Sequence, residues 1–196
     1  MNRRIPDDSS RWAAIIRHYQ SRYRPKSERE IAWFRRQPSL EAAVSTAARA
    51  VDEQGRRFAH QRRIKLDAIQ EAQREMLEAC SELSSCRTFH ELWNLLSGIL
   101  LPVAGIGELY IYDTAFRIGA HLNLLPDRVY LHAGVRKGAI GLGIPPQSNQ
   151  WLLMRELPPA LRGLPPHEVE DILCIYKRAV RDKHLGDADG CDHPCA

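Results

Sequence analysis

The chain has 196 residues, 44% of them apolar and 27% charged, enough for a sizeable core and against global disorder. No stretch approaches the ~20 apolar residues of a membrane span, and the first twenty, with Arg3, Arg4, Asp7, Asp8 and Arg11, lack the apolar run of a secretory signal. The net charge of +4 hides an asymmetry: residues 1–65 hold 16 Lys or Arg against 7 Asp or Glu, and the remainder 12 against 17.

In chain order, the pattern predicts helix after helix. Ser9 and Ser10 can cap a segment whose Trp12, Ile15, Ile16 and Tyr19 fall at helical spacing. Ser27 with Glu30 is a capping-box pattern for a short helix carrying Ile31 and Phe34. Pro38-Ser39 opens an alanine-rich helix running to about Asp52, with Gly55 as its stop. A long helical stretch is expected from about Arg57 to Cys80, with Phe58, Ile64, Ile69, Met76 and Leu77 among charged residues. Thr88 with Glu91 forms a second capping box, before Phe89, Leu92, Trp93, Leu95 and Leu96. Val129-Tyr130-Leu131 is the best strand candidate and is short. Pro166 sits at the first turn of a last helix with Val169, Ile172, Leu173, Ile175 and Tyr176. The expected fold class is therefore all-α, a multi-helix orthogonal bundle. Its expected organisation is a basic set of helices at 1–65 packed on a helical domain at 66–185, with a flexible tail at 186–196.

Five cysteines at unrelated spacings (Cys80, Cys86, Cys174, Cys191, Cys195) do not read as a disulfide framework and fit a cytoplasmic protein. Cys191-Asp192-His193-Pro194-Cys195 is too tightly spaced for a standard zinc pair, so no metal is expected. Basic residues come in pairs, notably Arg35-Arg36, Arg56-Arg57 and Arg62-Arg63. Such clustering either coats a solvated helix or attracts phosphate or another anionic partner. The tryptophans read as core residues; Trp151, after a polar loop, is the one candidate stacking platform.

The most informative segment is Leu100-Leu-Pro-Val-Ala-Gly105-Ile106-Gly107-Glu-Leu-Tyr-Ile-Tyr-Asp-Thr-Ala-Phe-Arg. One helix ends before Pro102, two glycines bracket Ile106 in a tight turn, and an amphipathic helix starts at once. The open N–H groups of that second helix are a natural phosphate site. Residues 88–122 thus resemble a helix-hairpin-helix, which grips the DNA backbone without reading sequence. The resemblance extends to about residue 145 and to the helix-hairpin-helix DNA glycosylases of base-excision repair. Their Val-Asp-Thr-His segment and following Leu-Gly-Leu are similar to Val129-Tyr130-Leu131-His132 and Gly141-Leu142-Gly143.

The departures limit what the resemblance implies. Leu109 stands where bifunctional members place their Schiff-base lysine, so no lyase route is expected. Tyr130 stands at one alignment of the catalytic aspartate, while ungapped counting puts Asp127 near that place. Pro126-Asp127 is also an ordinary helix-start pair. Asp113 reads either as the i,i+4 partner of Arg117 or as an acid in a base pocket. His132 reads as structural or catalytic, and Arg136-Lys137-Gly138, expected to start a helix, as a second phosphate contact. Members of that class often hold a monovalent ion at the hairpin, but no residue here requires a cofactor. The leading expectation is a DNA-binding protein of repair, modification recognition or phage defence, using Gly105, Ile106, Gly107, His132, Arg136, Lys137, Arg56, Arg57, Arg62 and Arg63. The alternatives are a monofunctional glycosylase with Asp127 or Asp113 positioning water, and a module binding an acidic protein through the basic N-terminal helices.

Overall fold

Apolar side chains recurring every three to four positions set the helices, and short polar side chains set where several begin. The computed structural model describes residues 9–145 and 150–182. Among them run α1 (Ser9–Arg22), α2 (Arg24–Arg35), α3 (Leu40–Arg49), α4 (Leu66–Glu78), α5 (Cys80–Ser85), α6 (Phe89–Leu100), α7 (Glu108–Leu122), α8 (Ala133–Gly141), α9 (Pro166–Ile175) and α10 (Lys177–Asp182). The only sheet among these residues pairs β1 (Val129–Tyr130) antiparallel with β2 (Trp151–Leu152). The protein is all-α. None of these helices is long and apolar enough to cross a membrane.

Several starts follow from local chemistry. The Ser39 hydroxyl accepts from the Ala42 N–H at 3.2 Å. Thr88 and Glu91 close a reciprocal box, with Thr88 Oγ1 accepting from the Glu91 N–H (3.1 Å) and the Glu91 carboxylate from the Thr88 N–H (3.3 Å). Pro166 occupies the first position of α9, where its missing N–H is harmless.

Other boundaries differ from the sequence pattern. Helix α2 begins at Arg24, so Ser27 lies inside it and is not a cap. Helix α3 stops at Arg49, because Ala50 adopts a left-handed conformation (φ 54°). Gly55 (φ 74°) turns the loop that follows instead of ending the helix. The expected helix from 57 to 80 is interrupted: residues 57–65 form a loop holding a 3-10 turn at Ala59–Gln61, and only then does α4 start. The physical reason is that Gln61 is buried (1% exposed) and hydrogen-bonded to side chains of α7, which a continuous helix would not allow.

The chain forms two units, a central one of residues 26–126 and a terminal one of residues 1–25 with 127–196. The division does not fall at residue 65: α3 packs on both α4 and α7, so residues on either side of that position share one core. In the central unit, Ala43, Val44, Ala47 and Ala48 of α3 are fully buried, and their small size lets α4 and α7 approach. Helix α6 packs on α7 and α4, burying Leu92, Leu96, Ile69 and Ile118.

In the terminal unit, α8 packs on α9 and α10. The approach is close because Gly134, Gly138 and Gly141 line the contact. A β-carbon at these positions would lie 2.4 Å from Cys174 Sγ, 2.2 Å from the Leu173 carbonyl oxygen and 3.0 Å from the Arg181 nitrogen, respectively. Trp12, Ile15 and Tyr19 of α1 join the same core with Ile172 and Leu173 of α9. The reading of the cysteines is corrected at Cys174, which is fully buried and disulfide-bonded. Cys80 and Cys86 are free, and burial pushes both thiols to higher pKa. Arg3-Arg4, Cys191 to Cys195, Gln147 to Asn149 and the tail from 186 also lie outside the described residues.

Candidate nucleic-acid interface

The turn between α6 and α7 is built from residues 101–107. The Val103 and Ile106 N–H groups donate to the carbonyls of Leu100 and Val103, both at 3.1 Å, closing two tight turns. Gly105 has φ 91°, which favours glycine. The residue plugged into the helix pair is Val103 (4% exposed), while Ile106 is half-buried. Gly107 is the N-cap of α7 in extended conformation (φ −123°) and supplies no side-chain cap. A β-carbon at Gly107 would meet open space. Leu109, at the position of the Schiff-base lysine in the resembled family, is half-buried.

One contact ties this hairpin to the basic segment. A β-carbon on Gly105 would lie 3.8 Å from Ala68 Cβ, so the turn rests on the first turn of α4. Directly before α4 come Arg62, Arg63 and Lys65, all exposed, and Leu66, 62% exposed. Leu101, 56% exposed, lies at the end of α6. The central unit as a whole balances 13 basic against 13 acidic residues. Its positive character is local: six basic residues (Arg49, Arg56, Arg57, Arg62, Arg63, Lys65) stand against Asp52 and Glu53 between positions 49 and 65. Glu108 in the first turn of α7 works against an anion at the hairpin.

The arginines expected as equivalent contacts are not equivalent. Arg56 Nε donates to Asp52 Oδ2 at 2.9 Å, and its Nη2 reaches the Gln54 amide oxygen at 2.8 Å. Burial raises the Asp52 pKa, but the backbone N–H and guanidinium of Arg56 more than reverse this, leaving the carboxyl below its ordinary value. Arg57 forms no ion pair among the described residues, and its Nη2 is buried without a hydrogen-bond partner. Arg62 folds back so that its Nε donates to the Arg57 carbonyl at 3.4 Å.

Asp113 belongs to a buried polar network in the central unit. Its Oδ2 accepts from Gln61 Nε2 at 2.7 Å, lies 2.6 Å from His60 Nε2 and faces Arg117 of the next turn at 3.8 Å. Arg117, 3% exposed, also donates to Glu30 (2.7 Å) and Gln61 (3.0 Å), and its guanidinium sits 4.0 Å over the Phe58 ring. This network fastens the 3-10 turn of the basic segment to α7. His60 and Gln61 escape a sequence reading because their partner is more than fifty residues away, and no local spacing announces it.

The remaining candidates lie in the terminal unit. Asp127 is engaged by Arg128 through two hydrogen bonds (2.9 and 2.7 Å), and its side chain is 58% exposed. The neighbouring Tyr130 is buried, and desolvation followed by the Asp127 charge raises its pKa, so it stays a neutral phenol. His132 is 2% exposed and caps α8. Arg136 and Lys137 were expected at a helix start, but α8 begins at Ala133, which places them in its interior with Gly138 buried against α9. Trp151 is half-buried, with the Arg128 guanidinium 5.5 Å from its ring centre.

No protein-family model, no curated protein and no solved structure matches this chain.

Proposed function

We propose that the central unit binds DNA through its phosphate backbone, with the Gly105–Gly107 hairpin and the 57–65 segment as the contact surface, in a role in DNA repair or recognition of modified DNA. The observation that carries this reading is the seating of Gly105 against Ala68, which puts an uncapped helix start and a run of exposed cations on the same part of the unit. Backbone contacts of this kind position a protein without selecting sequence. Binding is favoured over base excision because Asp113 is engaged by His60 and Gln61, and Asp127 by Arg128. Leu109 offers no amine for a Schiff base, so no borohydride-trappable adduct is expected.

The test is duplex binding by fluorescence anisotropy across a salt series. Affinity should fall steeply with salt and vary little with base sequence. Gly107→Leu should weaken binding by about tenfold, roughly 1.4 kcal/mol, while Tm stays unchanged, because its β-carbon enters open space at an allowed φ. Glu108→Gln should tighten binding by removing an acid from the first turn. A parallel loss of folding in Gly107→Leu, or a strong preference for one sequence, would sink this mode.

A further inference from the structure

We infer that Arg57, with Arg62 folded back on its main chain, forms a seat for a phosphate oxyanion, so that these two arginines and not Arg56 carry the phosphate contact of the basic segment. The inference rests on the DNA-binding reading and deepens it by naming the residues that discriminate.

The main chain at Arg57 is fixed. It pairs with Val51 across an isolated antiparallel bridge, and the next residue, Phe58, donates its N–H to the Ala50 carbonyl at 2.9 Å. The Phe58 ring is held beneath the Arg117 guanidinium, so the backbone cannot easily swing the arginine away. Arg57 is half-buried, its Nη2 is sealed off without an acceptor, and no carboxylate among the described residues pairs with it. A partly desolvated cation with no internal counter-charge is costly unless an anion approaches from its open side.

Among the described residues, the buried and half-buried groups around it are otherwise engaged. Tyr110 lies close enough to feel the Arg57 charge, but burial pushes its phenol up to about 12, against the pull of Arg117 and Arg57, and its proton is given to the Ala48 carbonyl at 2.7 Å. Glu30 and Asp113 are engaged by Arg117, and Asp52 by Arg56. The side chain of Arg62 brings a second cation to the same main chain: its Nε is used on the Arg57 carbonyl, while its terminal nitrogens take no acceptor among the described residues. A half-buried guanidinium with an unmet donor, and a second arginine bonded to its main chain, put two cations on one short stretch of chain, with Asp52, Glu30 and Asp113 already engaged; planar, charged donors of this kind suit a phosphate group.

The experiment compares Arg57→Gln, Arg62→Gln and Arg56→Gln in the full chain. Each is titrated with a labelled duplex over a salt series, and the unaltered protein, Arg62→Gln and Arg56→Gln are titrated separately with inorganic phosphate while the Arg57 Nε–Hε resonance is followed by NMR. Circular dichroism melts confirm folding, and Arg57→Lys, which keeps charge but loses the fork, serves should the glutamine variant melt early. The expected result is an about tenfold loss of duplex affinity for Arg57→Gln and for Arg62→Gln, with the slope of log affinity against log salt lowered by about one unit each. Arg56→Gln should match the unaltered protein. Duplex binding that all three variants weaken equally, or none does, would overturn the inference and leave the DNA reading standing. No duplex binding, together with a phosphate-dependent shift of the Arg57 resonance, would sustain an anion site and remove the DNA reading. Neither duplex binding nor a resonance shift would remove both.

Discussion

Replacing Gly138 with alanine should cost the terminal unit on the order of 3 kcal/mol of stability, through overpacking against a rigid neighbour. A glycine inside a helix normally invites this substitution, since alanine gains roughly 1 kcal/mol there. The sign inverts here because the new β-carbon would lie 2.2 Å from the Leu173 carbonyl oxygen and 2.8 Å from its carbonyl carbon. These are main-chain atoms of α9 and cannot rotate aside, so α8 and α9 must separate. Separation also opens the contact of Gly134 with Cys174 of α9, spreading the damage along the helix pair. Gly98→Ala in α6 is the matched control, because nothing stands within 4 Å of its β-carbon. It should stabilise slightly. Urea denaturation of both variants reads the difference, and a Gly138→Ala protein as stable as the parent would refute the packing described for α8.

The second large effect is expected at His132. Its Nδ1 accepts from the Gly134 N–H at 3.3 Å, which leaves Nε2 to carry the proton toward Glu170 at 2.5 Å. Both side chains are buried, 2% and 6% exposed. His132→Ala removes the helix cap and takes away a partner from a buried carboxylate, and breaking such a pair costs about 3–5 kcal/mol. His132→Asn keeps an acceptor for the Gly134 N–H and should recover only the capping part, about 1 kcal/mol. The double variant His132→Leu with Glu170→Leu should recover most of the loss, because no desolvated charge remains. A loss below about 1 kcal/mol for His132→Ala would show that the pair does not hold α8 to α9.

Much of the helical layout was legible because it is written locally. The Thr88–Glu91 box, the Ser39 cap and Pro166 at the start of α9 each depend on residues within one turn. The 57–65 loop was not legible. Phe58, Ile64 and Ile69 mimic helical spacing, and no proline or glycine interrupts them. What breaks the helix is tertiary: Gln61 and His60 bond to α7, more than fifty residues on. The two-unit partition was hidden for a similar reason, since residues 127 onward share a core with α1 across a gap of about a hundred positions. In the candidate interface, the hairpin glycines were readable from their spacing. The inequality of the arginines was readable in part. Asp52 precedes Arg56 by four residues, the ordinary spacing of a local ion pair, whereas nothing in the sequence marks Arg57 as half-buried with no carboxylate among the described residues.

Hydrogen–deuterium exchange of the full chain, with and without a short duplex at low salt, tests the DNA-binding account most directly, because it maps the contact without altering a residue. Exchange of the free protein sets the baseline for each peptide. The account predicts added protection in the peptides covering 57–66 and 101–109, falling away as salt is raised, with the α8 peptide 133–141 unchanged. Protection confined to the α8 peptide, or none anywhere at a duplex concentration that saturates anisotropy, would contradict it.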